Sequence, residues 1–164
     1  MSWTVIDSPI GELRLVENAG ALIAIEFLPF RPAGQSHDGR PRGDRNDTDP
    51  VLLEAARQLA AYFERELTVF DLPLAPIGTD FQQRVWKELQ TIGFGETASY
   101  GEIAHRLGKT NAASRAVGLA NGRNPIPIVI PCHRIIGADG TLTGYAGGVE
   151  RKQQLLELEQ EALF

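Results

Sequence analysis

Residues 79–122, TDFQQRVWKELQTIGFGETASYGEIAHRLGKTNAASRAVGLANG, carry three helix-opening signals in succession. Thr79-Asp80-Phe81-Gln82 fits a capping box, in which the first and fourth side chains satisfy each other's free backbone N–H groups. Phe81, Val85, Leu89 and Ile92 then recur along one helical face. Ser99-Tyr100-Gly101-Glu102 repeats the capping box and opens a short helix through Leu107, ended by Gly108. Thr110 caps an alanine-rich helix over 111–120, closed by Asn121-Gly122. Two short helices joined by a tight glycine-containing turn predict a helix-turn-helix. The spacing alone is also met by helix pairs that bind nothing.

Downstream, Val149 to Leu163 reads as a terminal helix with Leu155, Leu156 and Leu158. Upstream, Pro73, Pro76 and Gly78 mark a linker, and before it the periodicity changes. Trp3 to Ile6, Leu13 to Val16 and Leu22 to Phe27 are short apolar runs separated by turns at Ser8-Pro9-Ile10-Gly11 and Asn18-Ala19-Gly20, which predicts an antiparallel meander. Residues 29–49 are rich in Pro, Gly, Arg and Asp and are expected to form a mobile surface loop. Asp49 caps a helix with Pro50 at its first position and an apolar stripe of Leu52, Leu53, Ala56, Leu59, Ala60 and Phe63. A strand is expected at Val69 to Leu74. The fold class is therefore mixed α/β, with an N-terminal domain over 1–75 and a helical C-terminal domain over 79–164.

A 164-residue chain with 43% apolar residues is long enough for one ordinary domain or two small ones. It lacks both an apolar run of about eighteen residues and a basic start leading into an apolar stretch, so no membrane association and a cytoplasmic location are expected. One cysteine cannot form an internal disulfide, and with His37, His105 and His133 scattered it makes no zinc cluster, so no metal is expected. The net charge of −5 speaks against a nucleic-acid partner. Its distribution speaks the other way. Residues 1–78 hold seven basic and twelve acidic side chains, whereas Arg106, Lys109, Arg115, Arg123 and Arg134 face only Glu102 between Thr97 and Arg134.

The segment most suggestive of chemistry is Asn124-Pro-Ile-Pro-Ile-Val-Ile-Pro131-Cys132-His133-Arg134. A strand-like apolar run bracketed by prolines delivers a cysteine beside a histidine and an arginine. Proline fixes φ and removes donors, giving a stiff approach suited to a side chain that must be aimed. A lone cysteine is often just a small buried hydrophobe. A thiol attacks only as thiolate, and neighbouring His or Arg can lower its ordinary pKa of about 8.5. On an extended strand adjacent residues point to opposite faces, so His133 would act on Cys132 through a water. A base needs an orienting group. Glu159 shares a helical stripe with Lys152, Leu155 and Leu156, so it either faces inward to fill that role or is a solvated charge near the end of the chain.

The stretches FQQRVWKELQTIGFGETASYGEIA (81–104), SRAVGLANGRNPIPIVIPCHRIIG (114–137) and LTGYAGGVERKQQLLELE (142–159) resemble the O6-alkylguanine-DNA alkyltransferase family. The first half resembles the family's N-terminal domain more loosely, through DSPIG and LAAYFERELTVFDLPL. The resemblance implies a ribonuclease H-like N-terminal domain followed by a winged helix-turn-helix domain. It implies Cys132 as alkyl acceptor, deprotonated by a relay of His133, a water and Glu159. Asn124 matches a hinge asparagine tying the helix-turn-helix to the cysteine. Tyr145, Lys152, Ala146 and the backbone at Ile135 would line a guanine pocket, with Tyr100 on the lesion. Many members carry serine where Ala146 stands, so only a backbone N–H could contact O6 there.

The implied partner is double-stranded DNA bearing an alkylated guanine, gripped in the minor groove. Arg115 would enter the base stack in place of the flipped nucleotide. Small residues, among them Ala116, Gly118 and Ala120, would allow close backbone approach, and Arg123 adds charge. The implied reaction moves the alkyl group irreversibly from O6 of guanine, and by extension from O4 of thymine, once per protein molecule. No cofactor is implied. A monomer is expected, with cooperative binding along DNA left open. Two other readings use the same residues: a damage sensor that binds without transfer, and a Cys-His thiol hydrolase, which lacks an accompanying oxyanion-hole motif.

Overall fold

The computed structural model describes residues 1–30, 42–142, 145 and 147–161, and the chain divides into two compact units, Met1–Pro76 and Ile77–Phe164. In the first, β1 (Ser2–Ile6), β2 (Leu13–Asn18) and β3 (Ala21–Phe27) form the meander read from the sequence. Ala19 and Gly20 turn the second hairpin with positive φ, a conformation that glycine adopts without strain. The register pairs Thr4 with Leu15 and Leu15 with Ile25.

The stretch expected to be a loop contains β4 (Asp44–Arg45), which joins the far edge beside β1 in parallel to give the order β3-β2-β1-β4. Its charged side chains hid it from a hydrophobicity reading, because an edge strand needs only backbone groups to pair. Residues 31–41 of that expected loop lie outside the described residues.

Helix α1 (Pro50–Phe63) starts as expected, with the Asp49 carboxylate accepting from Leu52 N. It packs on β2 and β3. Its buried face is Leu52, Ala55, Gln58, Leu59 and Tyr62, so the predicted stripe is rotated: Leu53 is 53% exposed and Ala60 is also exposed. Gln58 explains the rotation. Its amide donates to Asp71 O and accepts from Asp71 N, each at 2.9 Å, so a polar residue belongs on the inner face.

The same pairing removes the strand expected at Val69 to Leu74. Asp71 gives both its backbone groups to Gln58, and Pro73 has no N–H to offer. What remains is a single parallel bridge between Leu22 and Leu74.

In the second unit α2 (Asp80–Leu89) opens with both halves of the Thr79–Gln82 capping box. A short β5 (Ala98–Ser99) leads into α3 (Tyr100–Arg106), where Ser99 accepts from Glu102 N. Gly108, at φ 76°, ends that helix. The next helix does not begin at a Thr110 side-chain cap. A 3-10 turn at Asn111–Ala113 intervenes, and α4 (Ser114–Gly122) runs through Asn121-Gly122, so these residues are helical.

Trp86 is buried beneath α4 and donates Nε1–H to Ala120 O at 2.9 Å, tying α2 to the second helix of the pair. Beyond lie β6 (Ile135–Ile136), which pairs with β5, and α5 (Val149–Glu161). Among the described residues no helix is long and apolar enough to cross a membrane.

The rotated face of α1 is testable with adjacent leucines. Leu52→Ala should lower stability by about 2–5 kcal/mol because it opens a cavity, while Leu53→Ala should stay within about 0.5 kcal/mol. Urea unfolding of the two variants measures the contrast.

Candidate functional site

The run between α4 and the cysteine is not the strand its apolar residues suggested. Residues 125–130 form turns in which Ile128 takes a φ of 74° and Ile130 N donates to Ile126 O. Alternating prolines deny the donors a strand ladder needs, and no strand among the described residues pairs with this run. Two asparagines hold this path instead. Asn124 donates to Ile130 O at 2.8 Å and accepts from Ile126 N at 3.0 Å, closing the loop on itself at the foot of α4. Asn121, within α4, donates to Cys132 O at 3.3 Å.

Cys132, His133 and Arg134 then form one 3-10 turn. The expected opposite-face geometry of an extended strand does not apply here. The turn leads into β6, whose Ile135 pairs with Ala98 at the entrance to α3. The cysteine is thus fixed from one side by α4 and from the other by the strand that starts the helix-turn-helix.

Glu159 faces inward and is 1% exposed. Its Oε2 lies 2.6 Å from His133 Nε2, and Arg134 grips both its oxygens, Nε on Oε1 at 2.9 Å and a terminal nitrogen on Oε2 at 3.0 Å. Gly95 N also points at Oε1, at 3.3 Å. Arg134 is itself anchored, donating 2.6 Å to Ile92 O and lying over the Phe94 ring at 5.9 Å. Lys152, fully buried on α5, donates to Ile135 O. His133 Nδ1 is buried without a hydrogen-bond partner among the described residues.

Burial dominates the electrostatics. It pushes the Cys132 thiol up to about 11, although the Asn124 amide and the Lys152 charge pull the other way. The sequence expectation of a thiol lowered by its neighbours is therefore corrected: removal from water outweighs them. Burial also holds His133 below its ordinary value, against the pull of Glu159. Glu159 would be raised by burial, but hydrogen bonds and charge from His133 and Arg134 bring it to about 2. An anionic Glu159 already paired with a guanidinium fixes a neutral His133 as the donor at Nε2, which leaves the lone pair on Nδ1. Lys152 is lowered by burial and raised by Cys132.

The remaining sequence candidates separate by exposure. Arg115 and Ala116 lie exposed in the first turn of α4, and Arg123, exposed too, caps its C-terminal end. Gly118 and Ala120, read as permitting close approach, point elsewhere: a Cβ on Gly118 would stand 3.5 Å from the Tyr100 ring, and Ala120 is buried. Arg134, counted with the basic patch, is committed to Glu159. Its role was missed because charge counting treats every arginine as solvated; the signal available was its place between a histidine and an apolar pair. Asn121 was read only as a helix terminator. Tyr145 is buried, and Ala146 lies outside the described residues. No group of His, Cys, Asp and Glu able to hold a metal occurs among the described residues.

The ribonuclease-like domain of 6-O-methylguanine DNA methyltransferase matches residues 1–76, and the DNA-binding domain of that family matches residues 80–161. A methylated-DNA–protein-cysteine methyltransferase of Mycobacterium bovis is 53% identical over 159 residues, covering 96% of this chain and 92% of that protein. One from Methanosarcina barkeri is 51% identical over 163 residues, 99% of each. A crystal structure of Mycobacterium tuberculosis OGT in complex with DNA is similar with a TM-score of 0.84 at 49% identity, covering 99% of this chain and 94% of that one.

The pKa shift of Glu159 has a stability consequence with a definite sign. A carboxylate held at about 2 rather than 4.5 contributes stability that is present above pH 4.5 and lost as pH falls toward 2. Glu159→Gln should cost about 3–5 kcal/mol at neutral pH, since it strands the buried Arg134 charge. The gap from the unsubstituted protein should narrow through that acid window, as read from urea midpoints across pH.

Proposed function

The chain belongs to the 6-O-methylguanine DNA methyltransferase family, and we propose that it repairs DNA by taking an alkyl group from O6 of guanine onto Cys132. It acts as a methylated-DNA–protein-cysteine methyltransferase and binds DNA. The observation that carries the assignment to Cys132 is a buried cysteine sharing one turn with a histidine whose Nε2 is taken by a carboxylate.

The chemistry follows from that arrangement. The thiol proton passes to His133 Nδ1, directly or over a water, because Nδ1 holds the free lone pair. Sulfur then forms a bond to the alkyl carbon as the carbon–O6 bond breaks, and guanine leaves with the electron pair. The guanine ring takes one proton at N1, so the thiol proton is balanced on the product. Buried Lys152 favours the thiolate through its charge, and Asn124 does so through its amide. The thioether formed has no route to hydrolysis in this site, so each molecule turns over once. O4-alkylthymine offers the same reacting carbon–oxygen bond.

A cysteine this buried cannot reach a base stacked in a duplex, so the nucleotide must leave the helix, at about a few kcal/mol. The exposed face of α4 fits the minor groove, with Ala116 between Arg115 and Arg123. Arg115 at its start fills the emptied place in the stack, while Tyr100, beside Gly118, and Tyr145 handle the extruded nucleotide. The protein is proposed to act as a monomer.

Incubation with duplex DNA carrying one O6-methylguanine should add a single methyl group, located on Cys132 by intact mass and peptide mapping, with guanine restored in the DNA. Cys132→Ala should bind the duplex and leave it methylated. An unmodified Cys132 in a protein that still binds the lesion would replace this reading with that of a damage sensor.

A further inference from the structure

Arg134 has no part in the relay implied by family resemblance, yet it is the group most tightly built into the site. Its guanidinium, itself buried, makes a two-pronged contact with Glu159 and a third hydrogen bond to Ile92 O. Such a fork holds a planar carboxylate in one orientation. Glu159 Oε2 is shared: it takes one prong of Arg134 and the Nε2 of His133.

We infer that Arg134 is a positioning residue that keeps His133 a neutral base, by occupying the charge of Glu159 so that the carboxylate orients the imidazole without protonating it. The inference rests on the reading of Cys132 as the alkyl acceptor and His133 as its base.

A buried histidine alone beside a carboxylate is drawn toward an imidazolium–carboxylate pair, since two opposite charges in contact stabilise each other in a low dielectric. An imidazolium has no lone pair at Nδ1 and cannot take the thiol proton. The charged and titratable groups around His133 settle which side prevails. From α5 come Glu159 and Lys152, and from its own turn Arg134 and Cys132. Helix α2, which also touches this turn, contributes the uncharged buried side chains Val85, Trp86 and Leu89. Two cations, Arg134 and Lys152, therefore stand against one anion, and a third positive charge on an imidazolium is disfavoured. Removing Arg134 leaves one cation, set at Ile135 O rather than on the carboxylate. Glu159 would then recruit a proton onto His133.

The test is the single-turnover transfer rate at saturating O6-methylguanine duplex, measured from about pH 5 to 9, the range in which histidine titrates. The unsubstituted protein should hold its rate down to the acid end. Arg134→Gln should lose rate at neutral pH and regain it at alkaline pH, its acid limb displaced upward by about one pH unit or more. Arg134→Lys keeps the charge without the fork and should restore most of the original profile with a lower plateau. A uniform loss in Arg134→Gln, with the shape of the profile unchanged, would overturn the inference and leave Arg134 a structural residue. If that variant does not fold, the nitrogen shifts of His133 in the unsubstituted protein decide: a neutral Nε2–H ring at pH 7 supports the inference and an imidazolium overturns it. Absence of transfer by the unsubstituted protein at any pH would instead defeat the reading of Cys132.

Discussion

A carboxylate buried at the end of α5 organises the second unit of this protein. Glu159 cannot stay charged away from water unless donors reach it, and the donors come from two places in the chain: the Cys132–Arg134 turn, whose Arg134 guanidinium also holds Ile92 O, and the loop at Gly95. Satisfying one side chain therefore joins the last helix, the end of α2 and the cysteine turn. The reactive segment has no regular secondary structure to stabilise it beyond a 3-10 turn and a two-residue strand. Its rigidity is borrowed from this network and from the two asparagines.

The same desolvation that demands the network determines what the cysteine can be. A thiol placed at about 11 by burial is protonated at physiological pH, so the resting protein holds no standing thiolate. That suits the proposed role of a thiol used once. A free thiolate would be spent on any passing electrophile, whereas a buried thiol beside a neutral base is activated only where an alkylated base sits against it. Asn121 gives this arrangement a mechanical side. It lies in α4, the helix proposed to meet DNA, and its amide reaches the carbonyl of Cys132 itself, so the proposed DNA-facing helix and the proposed acceptor share a hydrogen bond.

Local sequence signals translated into structure where the backbone's own chemistry decided the outcome. The Asp49 and Thr79 caps and the Ala19-Gly20 turn each act within a few residues, so reading them required no tertiary knowledge. The misreadings came where a distant partner decided. Gln58 has no place in an apolar stripe, yet its paired hydrogen bonds to Asp71 draw it inward and rotate α1 with it. Ile126 to Ile130 looked like a strand, but prolines and the Asn124 clamp folded it into turns. At the site, the helical stripe of Lys152, Leu155, Leu156 and Glu159 leaves the carboxylate either inward or solvated, and the structure turns it inward. The guanidinium that neutralises it was hidden within a count of basic residues, because sequence distance gives no sign that Arg134 and Glu159 meet.

Burial makes Cys132 a neutral thiol at rest, and the chain's single cysteine makes that directly observable. Thiolate absorbance across an alkaline titration of the folded protein, taken as the difference from Cys132→Ala so that the three tyrosines cancel, reports this one group. A neutral thiol gives no thiolate signal at neutral pH and a midpoint near 11. A midpoint below the ordinary thiol value of about 8.5 would contradict it, since that would mean a standing thiolate paired with a charged His133.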